Sequence, residues 1–155
     1  MIYKERDYSV VTQNANETNI KSVKLLGDVK GKVAFLADDM LGTGGTLLKA
    51  MSFLKENGAT KVIAAISLPF FTGNAIELFD EAYKKGLFYR IIGTNAVYHE
   101  ELLTKEWYIS TDVSGLFANV ITRIHHNQSL SDLLDNKTII DKLIKKSDDT
   151  EETQA

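Results

Sequence analysis

The sequence predicts an α/β fold, a mostly parallel sheet flanked by helices, and three observations point there. From Gly31 onward, short apolar runs alternate with amphipathic segments. The run Val33 to Ala37 is continuously apolar, as a strand buried on both faces would be. A Gly/Thr-rich loop then joins that run to a helical pattern, the connection from which parallel sheets are built.

The elements follow in order. Thr46 to Asn57 places Leu47, Leu48, Met51 and Leu54 on one helical face, and Gly58 is its expected C-terminal stop. Val62 to Leu68 repeats the strand signal before Pro69 and Gly73 break the chain. Ala75, Ile76, Phe79, Ala82 and Tyr83 mark a second helical face that ends at Gly86. Leu87 to Ile92 reads as a third strand and Trp107 to Ser110 as a short fourth. Asp112 is then placed to cap a helix that buries Leu116, Phe117, Val120, Ile121 and Ile124. Residues 1–30, rich in Asn, Thr and Lys, read as a mobile loop followed by an edge strand. Ser129 to Leu134 and Lys137 to Lys146 form an apolar-bearing end, where Ile139, Ile140, Leu143 and Ile144 can dock on the body or on a partner.

Composition bounds the rest. The 155 residues suit one domain, expected over residues 1–146, with the acidic stretch 147–155 as a disordered tail. Eighteen Lys plus Arg against 21 Asp plus Glu give a formal net charge of −3, so no general affinity for nucleic acid is expected. There is no cysteine, which excludes disulfides, thiolate catalysis and Cys-based zinc sites and makes the cytoplasm the expected compartment. No apolar run of spanning length occurs, so no membrane partner is expected.

The most informative stretch is Asp38-Asp39-Met40-Leu41-Gly42-Thr43-Gly44-Gly45-Thr46. A strand ends in two adjacent carboxylates, and the loop after it enters a helix whose first amides are unpaired. Those amides and the helix dipole favour an anion there. The glycines let the backbone approach a phosphate closely, and the hydroxyls of Thr43 and Thr46 can donate. A Walker-type loop would need Lys after its last glycine, where this chain has Thr46. A dinucleotide fingerprint starting at Gly42 would need glycine at Leu47. The acids discriminate further, because carboxylates beside a phosphate must serve something else, such as sugar hydroxyls or hydrated magnesium. A sugar phosphate meets both demands.

Asp38 to Thr46 resembles the phosphoribosyl-diphosphate loop of type I phosphoribosyltransferases, and its surroundings resemble the ribose-phosphate pyrophosphokinase (PRPP synthetase) branch. The supporting stretches are Lys4 to Ser9, Leu26 to Lys32, Leu54 to Ala59, Thr94-Asn95 and Ser129 to Leu134, so the resemblance runs from about Tyr3 to Leu134. It implies a type I phosphoribosyltransferase-like fold and transfer of the diphosphoryl group of ATP to the anomeric hydroxyl of ribose 5-phosphate, with Mg2+. By the same resemblance Gly42, Thr43, Gly44, Gly45 and Thr46 hold the 5-phosphate, and Asp38 and Asp39 hold the ribose hydroxyls, with magnesium reached through water. Lys4 and Arg6 match the mobile catalytic loop, where two cations neutralise the transferred group. Two departures stand out. Gly42 occupies a position that is usually acidic in the family, and the chain resembles only the C-terminal of two similar halves. A homo-oligomer or a complementary N-terminal half-domain is the partner this implies. A catalytically silent regulatory or scaffold subunit, and a PRPP-using phosphoribosyltransferase, are the competing readings.

Other residues are set aside. His125 and His126 end a helical pattern and His99 lies in a loop, with spacing that matches no histidine metal motif. Trp107 and Tyr108 suit core or interface packing. Phe70, Phe71 and Thr72 follow a strand end, where they can border a substrate crevice or pack between subunits.

Overall fold

A computed structural model describes residues 2–6, 20–25, 27–135, 137, 140 and 141. The chain divides into two compact units, Met1–Asp112 and Val113–Ala155. In the first, β1 (Ile2–Arg6) and β2 (Ile20–Leu25) form an antiparallel pair, with the register shifting between Glu5 and Arg6. The sequence reads residues 1–30 as a mobile loop followed by an edge strand, with Lys4 and Arg6 in the loop; Ile2–Arg6 instead form strand β1, while residues 7–19 and the acidic stretch 147–155 lie outside the described residues.

The main sheet has four parallel strands in the order β3 (Val33–Leu41), β4 (Lys61–Pro69), β5 (Arg90–Thr94) and β6 (Tyr108–Thr111). Helix α1 (Gly45–Glu56) links β3 to β4, and α2 (Ala75–Lys84) links β4 to β5. Each step moves the chain the same way across the sheet, so right-handed crossovers place both helices on one face. That face holds the core. Leu47, Met51 and Leu54 of α1 and Ala75, Phe79 and Ala82 of α2 cover Ala34, Val62, Ala64, Ile66 and Ile91. Leu102, in a 3-10 turn over Glu101–Thr104, and Trp107 extend the cover toward β6. Each fully buried large side chain among them contributes about 1.5 to 3 kcal/mol of transfer free energy.

Strand β3 departs from the expectation of burial on both faces. Ala34 and Leu41 are buried, but Val33 and Phe35 are 57% and 64% exposed. The helices that follow β3 and β4 fall on the same side, so the alternate residues of β3 meet no layer among the described residues of this unit. Helix α1 stops as its sequence implies. Gly58, at φ +89°, lets its own amide reach the Lys55 carbonyl and the Ala59 amide reach that of Leu54.

The second unit holds α3 (Ser114–His125) and one helical turn, α4 (Ser131–Leu134). Arg123 Nη1 ties them by donating to the Ser129 carbonyl at 2.6 Å and lying 3.4 Å from Asp132 Oδ2. The expected burial of Leu116, Phe117, Ile121 and Ile124 is not found; all four are exposed, because among the described residues of this unit α3 and α4 supply no second layer over the apolar stripe. The N-cap of α3 is Val113, one residue after the expected Asp112, and its side chain makes no cap bond. Within the first unit, Asp112 Oδ1 accepts a 2.7 Å hydrogen bond from Asn95 Nδ2. Of the residues expected to dock at the end of the chain, Ile139, Leu143 and Ile144 lie outside the described residues.

Candidate functional site

The C-terminal end of β3 runs straight into the loop, since the strand continues through Asp38 and Asp39 to Leu41. Alternation along an extended strand starts the two acidic side chains on opposite faces. The Asp38 carboxylate turns back to accept the Asp39 amide at 3.0 Å. Both residues are exposed, and among the described residues neither forms an ion pair.

Beyond them the loop is shaped by Gly44, the N-cap of α1, at φ +77° and ψ −6°. A Cβ at this position would run into the Phe79 ring, so the left-handed backbone and the close approach both require glycine. The first helical hydrogen bond runs from Leu48 N–H to the Gly44 carbonyl at 2.9 Å, which leaves the Gly45, Thr46 and Leu47 amides without carbonyl partners in the helix. No side chain caps them and no acid lies in the first turn, so the positive end of the helix is not neutralised locally. Asp38–Leu47 line a cavity of about 310 Å3.

The loop is braced from behind. The Leu41 carbonyl accepts the Phe70 and Phe71 amides at 2.9 and 3.1 Å, and the Gly42 carbonyl accepts the Thr72 amide at 3.1 Å. Phe71 takes up φ +45° to make this turn, and its buried ring meets Phe79 edge-on at 5.4 Å and Trp107 at 6.0 Å. One strand over, Thr94 Oγ1 donates to the Ser67 carbonyl at 2.5 Å, tying the C-terminal ends of β4 and β5 together.

Under this floor, Asp80 Oδ1 accepts from Trp107 Nε1 and Oδ2 from Lys105 Nζ, both at 2.7 Å. Partial burial works to raise the Asp80 pKa, but the two hydrogen bonds and the charge of Lys105 outweigh it and hold the carboxyl below its ordinary value. Hydrogen bonds to Asp80, and then to Glu101, raise the pKa of Lys105. Burial raises that of Tyr108.

The residues read from the sequence thus divide. Asp38, Asp39 and Gly42 to Thr46 line one cavity. Lys4 and Arg6 lie in β1, paired with Val23 and Ile20 of β2. Thr72 and Phe71, set aside in the sequence, brace the loop, and Phe79, read there as part of a helical face alone, also fixes Gly44. The signal for Phe79 was its place on the buried stripe of α2; nothing in the letters indicated which glycine it would meet. Among the described residues no helix is long and apolar enough to cross a membrane.

Comparison with known proteins adds a family to this geometry. Ribose-phosphate pyrophosphokinase 2 of Schizosaccharomyces pombe is 39% identical over 132 residues, covering 84% of this chain and 37% of that protein. Ribose-phosphate pyrophosphokinase of Wolinella succinogenes is 37% identical over 128 residues, 82% of this chain and 40% of that one. The chain therefore spans about two fifths of the length of these relatives. Among solved structures, phosphoribosylpyrophosphate synthetase from Mycobacterium smegmatis matches with a TM-score of 0.60 and 30% identity, covering 69% of this chain and 35% of that one. The parallel sheet flanked by helices is thus of the phosphoribosyltransferase type. The model of the phosphoribosyl synthetase-associated domain matches residues 5–135, nearly the whole described sequence, and to that family the chain belongs.

Proposed function

We propose that this chain supplies the ribose 5-phosphate and PRPP binding part of a ribose-phosphate diphosphokinase, a transferase of nucleotide biosynthesis acting in the cytoplasm. The observation that carries the reading is the unneutralised start of α1 beside two exposed carboxylates that have no ion-pair partner among the described residues. The names of the relatives support the same chemistry. In this reading the Gly42 to Thr46 loop grips the 5-phosphate with backbone amides and threonine hydroxyls. Asp38 and Asp39 accept from the ribose hydroxyls and so orient the ring.

The C1 hydroxyl oxygen bonds to the β-phosphorus of ATP, and the bond from that phosphorus to the oxygen bridging toward the α-phosphorus breaks. AMP leaves with that oxygen, and the hydroxyl proton is released. The role of the chain is positioning and charge compensation, on which phosphoryl-type transfer mainly depends. Lys4 and Arg6 of β1 are the cations assigned to the transferred group. Among the described residues no group of three or more His, Cys, Asp or Glu could encage a metal. Asp38 and Asp39 fit instead a magnesium ion that keeps its waters and shares substrate oxygens, as this ion prefers. When bound, it would supply charge neutralisation between those carboxylates and the phosphates.

A second reading has its own support. One continuous segment, Asp38–Leu47, lines the cavity. That feature suits a catalytically silent synthetase-like subunit that binds the sugar phosphate for a complete enzyme. Calorimetric titration with ribose 5-phosphate tests the shared binding claim, and absence of binding overturns both readings. AMP formation from ATP, ribose 5-phosphate and magnesium, by the chain alone or with a separately supplied N-terminal half, favours the catalytic reading; binding without turnover in either case favours the silent subunit.

A further inference from the structure

The anion loop has two braces, and one side chain supports both. The Phe79 ring bars any side chain at Gly44, and the Phe71 amide donates to the Leu41 carbonyl at 3.1 Å. Trp107, immediately before β6, packs against each. Its ring centre lies 6.0 Å from that of Phe79, at an interplanar angle of 30°, and 6.0 Å from that of Phe71. Phe88 meets it edge-on at 5.7 Å, and the residue is 2% exposed, so the indole cannot turn without displacing its neighbours. The edge of the ring is fixed as well as its face. Phe79 and Asp80 are successive residues of α2; the first stacks on the indole and the second accepts from its Nε1 at 2.7 Å. Asp80 is held in turn by Lys105 Nζ at 2.7 Å, which lies 3.1 Å from Glu101 Oε1. The Trp107 carbonyl accepts the Ile91 amide at 2.8 Å, which anchors its backbone to β5.

We propose that Trp107 is a positioning residue of the anion loop. Asp80 holds the indole in one orientation, and the indole fixes Phe79 and Phe71 so that the Gly45, Thr46 and Leu47 amides converge on a bound phosphate group. An indole is unsymmetrical. Without its acceptor it has no single preferred orientation in this packing, and the space left for the Phe79 ring changes with it. Since that ring fills the place where a Gly44 side chain would begin, its displacement releases the left-handed N-cap from which the three amides are aimed. The inference rests on the loop being a phosphate cradle and adds that its aim is set from the core. A tryptophan that only filled the core would govern stability and leave the affinity of the folded protein untouched.

Calorimetric titration with inorganic phosphate and with ribose 5-phosphate, on variants shown folded by circular dichroism, separates the two roles. Trp107→Phe, which keeps an aromatic ring and loses the N–H, is expected to bind both ligands roughly tenfold more weakly, the scale of one hydrogen bond to a charged group. Asp80→Leu, similar in shape but without an acceptor, is expected to do the same. Asp80→Asn, which keeps an oxygen for the indole, is expected to restore binding to within about twofold of the parent. In the ligand-free protein the Gly45, Thr46 and Leu47 amide resonances should move in Trp107→Phe and Asp80→Leu and return in Asp80→Asn. Leu54→Ala, a deletion of a buried side chain about 15 Å further along α1, is the control; it lowers stability and should leave both affinities as they are. If the parent binds neither ligand, the cradle reading and this one fall together. This proposal alone is overturned if the parent binds and Trp107→Phe binds equally well, if Asp80→Asn is as weak as Asp80→Leu, or if Leu54→Ala weakens binding as much as Trp107→Phe.

Discussion

The ring of Phe79 lies where a side chain at Gly44 would have to begin, so a core residue of α2 dictates the backbone of the anion loop. Gly44 also holds a positive φ, whereas Gly42 does not, and a Cβ at Gly42 would make ordinary contact with Thr72 Oγ1 at 3.6 Å. Two alanine substitutions in one loop should therefore part sharply. Gly44→Ala is expected to cost at least about 1 to 2 kcal/mol from the left-handed backbone alone and to abolish phosphate binding. Gly42→Ala is expected to stay within about 0.5 kcal/mol of the parent. Denaturant melts with and without ribose 5-phosphate would read both effects.

The Asp80 cluster makes a prediction about pH. A carboxyl whose folded pKa lies below its ordinary value of 3.8 contributes stability at pH values above that figure and loses it as pH falls through the lower folded pKa. Lys105, raised above 10.5, contributes below that value and loses its contribution as pH rises through its own folded pKa. The bridge is thus intact across the neutral range and fails at both extremes. Asp80→Ala leaves the buried Trp107 indole without its acceptor and is expected to cost about 1 to 3 kcal/mol at pH 7. The difference between parent and variant should shrink in acid; a difference constant from pH 7 to pH 2 would refute the assignment.

The strand, loop and helix of the site were legible because their signals are local. Val33 to Asp39, the glycines and the Leu47, Met51 and Leu54 stripe lie within one stretch of chain, and β3 and α1 follow them within a few residues. The strand proved longer than its apolar run, since β4 carries the pairing on through Asp38, Met40 and Leu41. What could not be read depended on distant partners. Phe71 adopts a positive φ because the Leu41 carbonyl draws its amide, and no residue preference foretells that for phenylalanine. Burial of alternate β3 residues was misjudged for the same kind of reason, because an apolar letter does not reveal which face receives a helix. Asp112 marked the start of α3 to within one residue, the N-cap being Val113, but its hydrogen bond from Asn95, 17 residues away, left no trace in the letters.

Asp38 and Asp39 separate two kinds of ligand. If they serve ribose hydroxyls, replacing both with Asn removes acceptors that the sugar needs and also removes negative charge beside the phosphate site. Ribose 5-phosphate affinity is expected to fall by roughly tenfold or more, at about 1.5 to 3 kcal/mol for a hydrogen bond to a charged group. Inorganic phosphate affinity should hold or rise. Parallel calorimetric titrations check this, and an equal loss for both ligands would show that the acids shape the loop instead of reading the sugar.

Lys4 calls for a different measurement, since its assigned partner is charge on the diphosphoryl group in flight. It lies in β1, opposite Val23 of β2, on a strand pair separate from the sheet that carries the loop. An interaction made mainly in the transition state changes kcat, whereas one made equally with bound substrate changes KM. Lys4→Ala, assayed in whichever assembly turns over, is therefore expected to lower kcat by about a hundredfold, the scale for losing one stabilising group at a developing charge. Binding of ribose 5-phosphate by the same variant should remain within about twofold of the parent, because a difference of that size is under 0.5 kcal/mol. If titration shows the sugar phosphate released along with the lost turnover, Lys4 holds substrate in the ground state and its assignment to the transferred group fails.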